Sequence, residues 1–290
     1  MYNIPITIAG ILIEVTSPLS PAELRIEERL GSFFNSPEVP LARVALRWEA
    51  SEGAPVPPGD MIYDPGAIWK MYRAGQDTYA AMTYEQGGGA AQAQSVLRAN
   101  ASWDDLTLIE RRTGGQWQSL LNIGAGELLL RTRILFSDGL VFHACGIDDN
   151  GRGLVFAGHS GAGKSTQAGF WSDVPGAIAM NDDRIAVRAN AAGAMCYGTP
   201  WGGTADIARN HCAPLSAIVL LEQAPENEIQ PLPPSASVPL LLVRSFLPYW
   251  DETLMRRAVA NLGAILSCTP VYRLRCRPES ATIPLVRSVI

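Results

Sequence analysis

The stretch Gly158-His159-Ser160-Gly161-Ala162-Gly163-Lys164-Ser165 fits GxxxxGK[ST], a pattern whose chemistry is phosphate binding. Glycines let the backbone turn tightly, so that several N–H groups point at one anion. A helix that starts at Lys164 adds its positive N-terminal end. The Lys164 ammonium reaches the β- and γ-phosphates, and the Ser165 hydroxyl suits Mg²⁺, a hard cation that takes oxygen ligands. The expected ligands are therefore ATP and Mg²⁺, with Gly158, Ser160, Gly161, Ala162, Gly163, Lys164, Ser165 and Thr166 as the cofactor-binding set.

A second group follows a short apolar strand: Asn181-Asp182-Asp183. Near a phosphate loop, one carboxylate can hold Mg²⁺ while the other takes a proton from a nucleophilic hydroxyl. The pattern equally suits a solvated turn. His143, in an apolar strand, reads either as a satisfied structural residue or as a group near the γ-phosphate that donates a hydrogen bond or moves a proton. His159 stands at an unrestricted position of the loop pattern. Tyr197–Gly203 either walls a pocket or covers the core edge with Trp201. Arg209 and Arg244 are candidates for neutralising charge on a transferring phosphoryl group. Together these residues suggest phosphoryl transfer to a hydroxyl.

The elements that must position them are legible after Gly124. Glu127–Ser137 reads as a helix with an apolar face. Leu140–Ile147 is a strand, Asp148–Gly151 a tight hairpin turn, and Gly153–Ala157 the strand entering the glycine-rich loop. Lys164–Trp171 begins a helix and Ala177–Met180 is a strand. Ile185–Arg188 and Ala194–Tyr197 form a further hairpin. Ile218–Leu221 and Val271–Leu274 are strands and Glu252–Ser267 is a helix. Ala224–Pro239 reads as a surface loop and Pro239–Val243 as a buried strand at most. Two hairpins around the loop imply a mixed or antiparallel sheet rather than the parallel sheet of transporters and GTPases.

The preceding stretch gives weaker signals. Ile6–Val15 reads as a strand and Pro21–Phe34 as a short helix capped by Ser20. Alternation recurs at Ala42–Trp48, Ala67–Ala74, Thr78–Tyr84, Ser95–Ala99 and Leu106–Arg111. The expected organisation is a small, mostly β domain over residues 1–123, suited to substrate recognition, and a catalytic domain over 124–290.

Composition narrows the class. Of 290 residues, 47 % are hydrophobic and 18 % charged, as in an ordinary folded protein. The net charge of −5 and the lack of a basic run give no nucleic-acid footprint and no attraction to anionic membranes. Lysine is rare, with Lys70 the only one besides Lys164, so its use inside the glycine-rich loop points to phosphate. The odd set Cys145, Cys196, Cys212, Cys268 and Cys276 contains no CxxC pair. It reads as neither a disulfide framework nor a zinc site, and a reducing cytoplasm is expected. The apolar stretch Ile4–Ile13 is too short to span a bilayer and lacks a signal-peptide layout.

Val141–Trp201 resembles the catalytic domain of HPr kinase/phosphorylase and its relatives. The matching residues are His143-Ala144, Gly153–Ala157, Gly158–Thr166, Asn181-Asp182-Asp183-Arg184 and Tyr197-Gly198-Thr199-Pro200-Trp201. The resemblance implies an α/β (α+β) fold: a mixed-sheet P-loop kinase domain related to ATP-dependent phosphoenolpyruvate carboxykinase. It implies catalytic roles for Asp182 as base, for Lys164 on the phosphates and for His143 beside them, with Ser165 and Asp183 serving Mg²⁺. The implied activity is ATP-dependent phosphorylation of a hydroxyl, serine above all, on an acceptor protein or peptide. Phosphorylation of a free small molecule such as serine, and nucleotide binding without transfer, stand as alternatives. The segment after Tyr197 lacks the acidic residue of the carbon-regulation enzymes, and the closer likeness is to the branch that tailors ribosomally made peptides. Family members are often oligomeric, so self-association is a further expectation.

Overall fold

The computed structural model describes residues 1–34, 36, 39–83 and 93–290. They form a mixed α/β structure with two multi-stranded mixed sheets and few helices. Two compact units result, one of Met1–Arg133 with Tyr249–Glu252, the other of Ile134–Pro248 with Thr253–Ile290. No helix among the described residues is long and apolar enough to cross a membrane.

The first unit is built on an eight-stranded sheet. Its strands are β1 (Tyr2–Ile8), β2 (Ile11–Ser17), β3 (Ala42–Ser51), β4 (Asp60–Tyr63), β5 (Trp69–Ala74), β6 (Asp77–Met82), β7 (Ser95–Ala99) and β8 (Asp105–Arg111). Their order is β1-β2-β3-β8-β7-β6-β5-β4. The β2–β3 and β3–β8 pairs are parallel. The apolar alternation of β2 buries Ile11, Ile13 and Val15, and that of the neighbouring β3 buries Val44, Leu46 and Trp48.

Three sequence expectations change here. The single strand over Ile6–Val15 is a hairpin, turning at Ala9 and Gly10 with φ of 53° and 72°. The helix over Pro21–Phe34 is a turn followed by a 3-10 helix, Glu28–Phe33. Ser20 does bond Glu23, through its N–H at 2.8 Å and its hydroxyl at 2.7 Å. The helix stops because the Arg25 carbonyl accepts from Leu120 N–H at 2.7 Å instead of continuing the ladder. The strand expected over Thr78–Tyr84 ends at Met82, and Tyr84 lies outside the described residues.

Helix α1 (Ala125–Arg133) belongs with the first unit, so the division falls after it rather than at Gly124. Gly124 lies in the capping turn: Asn122 Oδ1 accepts from Gly124 and Ala125 N–H, both at 2.9 Å. The far end of α1 is held by Arg131, whose guanidinium lies over the rings of Trp69 at 4.9 Å and Trp250 at 5.4 Å. Residues Ile134–Ser137, expected as more of the same helix, tighten into a 3-10 turn.

In the second unit two long strands each serve two neighbourhoods. β9 (Gly139–Asp149) pairs with β12 (Arg184–Asn190) through His143, then with β10 (Gly153–Ala157) and β11 (Ala177–Asn181). β14 (Cys212–Gln223) starts against β13 (Gly193–Gly198) and continues between β10 and β16 (Val271–Cys276), parallel to both. The β9–β10 hairpin turns at Asn150 and Gly151, with φ of 55° and 87°, which Asn-Gly adopts readily. Helix α2 (Lys164–Ser172) packs Ala168 and Trp171 into a core with Cys145, Phe156 and Val219.

The stretch expected as a loop, Ala224–Pro239, contains β15 (Glu228–Pro231) and opens helix α3 (Pro234–Leu242). Pro239–Leu242 is therefore helical rather than a strand, with Val243 capping the helix. Pro234 at the helix start needs no hydrogen-bonded N–H, which makes a proline-rich entry compatible with a helix. Helices α4 (Glu252–Cys268) and α5 (Thr282–Arg287) complete the unit.

Candidate functional site

The phosphate-loop sequence folds as a strand–loop–helix unit. β10 delivers the chain to Gly158, and α2 starts at Lys164 with Gly163 as its N-cap. Gly163 has φ of 104° and Gly161 of 79°, conformations that side chains with a Cβ resist. A Cβ on Gly158 would stand 2.6 Å from Ala162 Cβ, so that glycine admits close packing rather than a turn.

Lys164 is buried, and its Nζ donates to the Gly158 and His159 carbonyls at 3.2 and 3.3 Å. Burial lowers its pKa, a shift that Asp183 opposes and Arg244 adds to. A lysine held in this way gains much from an anion that restores its charge balance.

Beyond the loop lies a cleft of about 510 Å³. His143, Ser160, Gly161, Gly163, Lys164, Ser165, Thr166, Asp182 and Asp183 all line it, together with Gly203 and Thr204. Of the sequence-nominated residues, Gly158 and Ala162 do not line it; Gly158 supplies a carbonyl to Lys164, and Ala162 is buried in the core. His159 is exposed, with its ring bonded to the Ser160 carbonyl at 2.6 Å.

The acidic pair is set by Asn181, which is fully buried. Its amide donates to the Thr199 and Trp201 carbonyls at 2.8 and 3.1 Å, and its Oδ1 accepts from the N–H groups of Asp183 and Arg184 at 2.7 and 2.6 Å. This fixes the turn so that the two carboxylates part. Asp182 is buried and accepts three backbone N–H bonds, from Gly203 at 2.7 Å, Ala205 at 2.8 Å and Ile207 at 3.2 Å. Asp183 pairs with Arg184 and stands 3.5 Å from His143 Nδ1. Burial lowers the His143 pKa, with Asp183 working against it.

Gly203, the end of the Tyr197–Gly203 segment read as a possible pocket wall, does line the cleft, and Thr204 beside it is a lining residue that the sequence reading did not name. A Cβ on Gly203 would stand 2.8 Å from Asp182 Oδ2, so the Gly202-Gly203 pair was the available signal. Trp201 is buried and covers the core rather than walling the cleft. Arg244 does not line the cleft. It lies near enough to influence Lys164, and its carbonyl accepts from His143 N–H at 2.7 Å. Arg209 is exposed, and its N–H donates to the Met180 carbonyl at 2.9 Å.

Ser165 and Asp183 offer hard oxygen donors beside the loop. Among the described residues, no group of three or more His, Cys, Asp or Glu converges to hold a metal alone. One hydroxyl and one carboxylate beside the glycine-rich loop fit Mg²⁺, which is usually held by one or two protein oxygens, substrate phosphates and waters. Comparison of the chain with family models and with curated proteins gives no match.

Proposed function

We propose that the second unit is a P-loop kinase domain of the HPr kinase/phosphoenolpyruvate carboxykinase type. It transfers the γ-phosphoryl group of ATP to a hydroxyl, that of serine in an acceptor protein or peptide. The reading is carried by one observation: Lys164, Ser165, Asp182, Asp183 and His143 face a single cleft. The mixed sheet, in which antiparallel β9 flanks the strand that enters the loop, supports this type over an all-parallel NTPase.

Ser165 and Asp183 would hold Mg²⁺, which would supply charge neutralisation for the transferring phosphoryl group. The loop amides and Lys164 would orient the triphosphate. Asp182 would take the proton of the acceptor hydroxyl. An ionised carboxylate has about four lone-pair sites, and amides occupy three in Asp182, so one remains, in fixed direction, for the acceptor. His143 would offer a hydrogen bond near the transferring group, and Arg244 would add positive charge from outside the cleft.

The test is transfer of label from γ-labelled ATP to peptide, protein and free-serine acceptors, with phosphoserine identified in the product. Asp182→Asn is expected to lower kcat by about 10²–10⁴, the usual worth of a general base. Lack of magnesium-dependent ATP binding, or unchanged transfer by Asp182→Asn, overturns the reading. Phosphorylation of free serine alone moves the assignment to a small-molecule kinase.

A further inference from the structure

A second, smaller pocket lies along the same glycine-rich loop. It shares Gly161, Gly163 and Thr166 with the cleft, and Gln223, Cys276, Arg277 and Pro278 contribute to its outer wall. Its volume is about 90 Å³, so it takes one face or edge of a planar group and does not enclose it. Three parallel strands lead to this point: β10 ends at Ala157, β14 at Gln223 and β16 at Cys276. β14 and β16 end together, with Gln223 beside Cys276, and β10 stops short of them, with Ala157 beside Leu220, where the chain leaves for the loop. Ligands of open α/β sheets gather outside the carboxyl ends of such strands.

The wall is built rather than incidental. Gln223 Nε2 donates to the Gly161 carbonyl at 2.8 Å, so strand end and loop tip are one hydrogen-bonded piece. Arg277 N–H donates to Asn227 Oδ1 at 2.9 Å and its guanidinium to Glu279 at 3.0 Å, which fixes the turn after β16. A guanidinium plane, an apolar proline ring and a side-chain amide are groups that hold a heteroaromatic ring by its face and edge.

We infer that this pocket is the subsite for the nucleoside end of the phosphoryl donor. The purine lies against Arg277 and Pro278, and its phosphates run past Gly161 and Gly163 into the cleft. The assignment rests on the reading of the cleft as a nucleotide site. It places selectivity for a nucleoside triphosphate over an inorganic polyphosphate at the ends of β14 and β16, away from the loop glycines and Lys164.

Calorimetric titration of the full chain with Mg·ATP and with Mg·tripolyphosphate tests it, beside Arg277→Ala. The Arg277 side chain is 57 % exposed, so its removal leaves the core intact. The expected result is ATP binding at least about tenfold tighter than tripolyphosphate in the natural chain, a difference of one decade in Kd. Arg277→Ala removes most of that advantage and leaves tripolyphosphate affinity unchanged. Photolabelling with 8-azido-ATP is expected to mark a peptide containing Gln223 or Cys276–Pro278. Equal affinity for the two ligands in the natural chain, an unaltered ratio in the variant, or label confined to other peptides overturns the subsite. Failure of the natural chain to bind either ligand is a different result, and it removes the nucleotide reading itself.

Discussion

The N–H groups of Gly203, Ala205 and Ile207 converge on Asp182, so the substitution chosen to test a base also alters the loop that carries them. An asparagine replaces one acceptor oxygen by a donor, which then faces a backbone N–H. A buried donor left without an acceptor costs about 1–3 kcal/mol. Asp182→Asn is therefore expected to lower the melting temperature and to speed hydrogen exchange at residues 203–207. Unchanged exchange there would assign Asp182 to chemistry alone. Lys164 gives the opposite sign. Its pKa is lowered by burial, so the folded state disfavours its charge, and among the described residues its Nζ bonds to carbonyls of its own loop. Lys164→Met is expected to keep or raise the melting temperature while abolishing magnesium-dependent ATP binding, a trade of stability for function. A clear drop in thermal stability would contradict this account.

At the scale of elements, two glycines of one segment separate loop strain from helix propensity. Gly163 has φ of 104° and nothing within 4 Å of an added Cβ, so any penalty at Gly163→Ala comes from backbone strain, about 1–2 kcal/mol for a left-handed residue. The loop relaxes and ATP affinity is expected to fall about tenfold by titration. Gly169, inside α2, also has open space around it. Gly169→Ala is expected to stabilise by about 0.5–1 kcal/mol, the ordinary helix preference, with affinity unchanged.

These elements were the legible ones. The loop, its entering strand and its helix announce themselves because glycine, lysine and apolar runs each have one use there. Ser95–Ala99 also stands as read. Elsewhere pairing overrode local pattern. Ala9 gave no turn signal, yet it turns the β1–β2 hairpin. Pro214 and Ser216 hid the length of β14, which is fixed by three neighbouring strands. The cleft wall at Gly203 and Thr204 depends on a carboxylate distant in sequence, and no local period carries such information. The Arg25 carbonyl, taken by Leu120, ended a helix that propensity favoured.

For the molecule as a whole, stability toward pH is expected to be governed in part by a group far in sequence from the cleft. Glu110, in β8, is buried, and it accepts from Trp48 Nε1 at 3.2 Å and from Gln118 N–H. Burial raises its pKa to about 7 from an ordinary 4.5. The folded state thus holds a proton that the unfolded chain releases. This contribution is full below about pH 4.5 and disappears as pH rises through about 7, with a ceiling of order 3 kcal/mol. Melting curves should fall between pH 5 and 8 in the natural chain and flatten in Glu110→Gln. Parallel curves would show that the carboxyl is ionised throughout.

Chain order imposes a further consequence. Trp250 stands in the aromatic group of Tyr63, Trp69 and Trp103, and Asp251 pairs with Arg73 at 2.7 Å, although both residues are encoded more than a hundred positions after α1. The front of the protein cannot be traded as a cassette. A fragment ending at Arg133 would leave an indole-shaped gap beside Arg131, and a recombinant that exchanged residues 1–133 would need a matching tryptophan and aspartate downstream. Residues 1–133 and Tyr249–Glu252 should therefore be inherited together, although more than a hundred positions of the other unit lie between them.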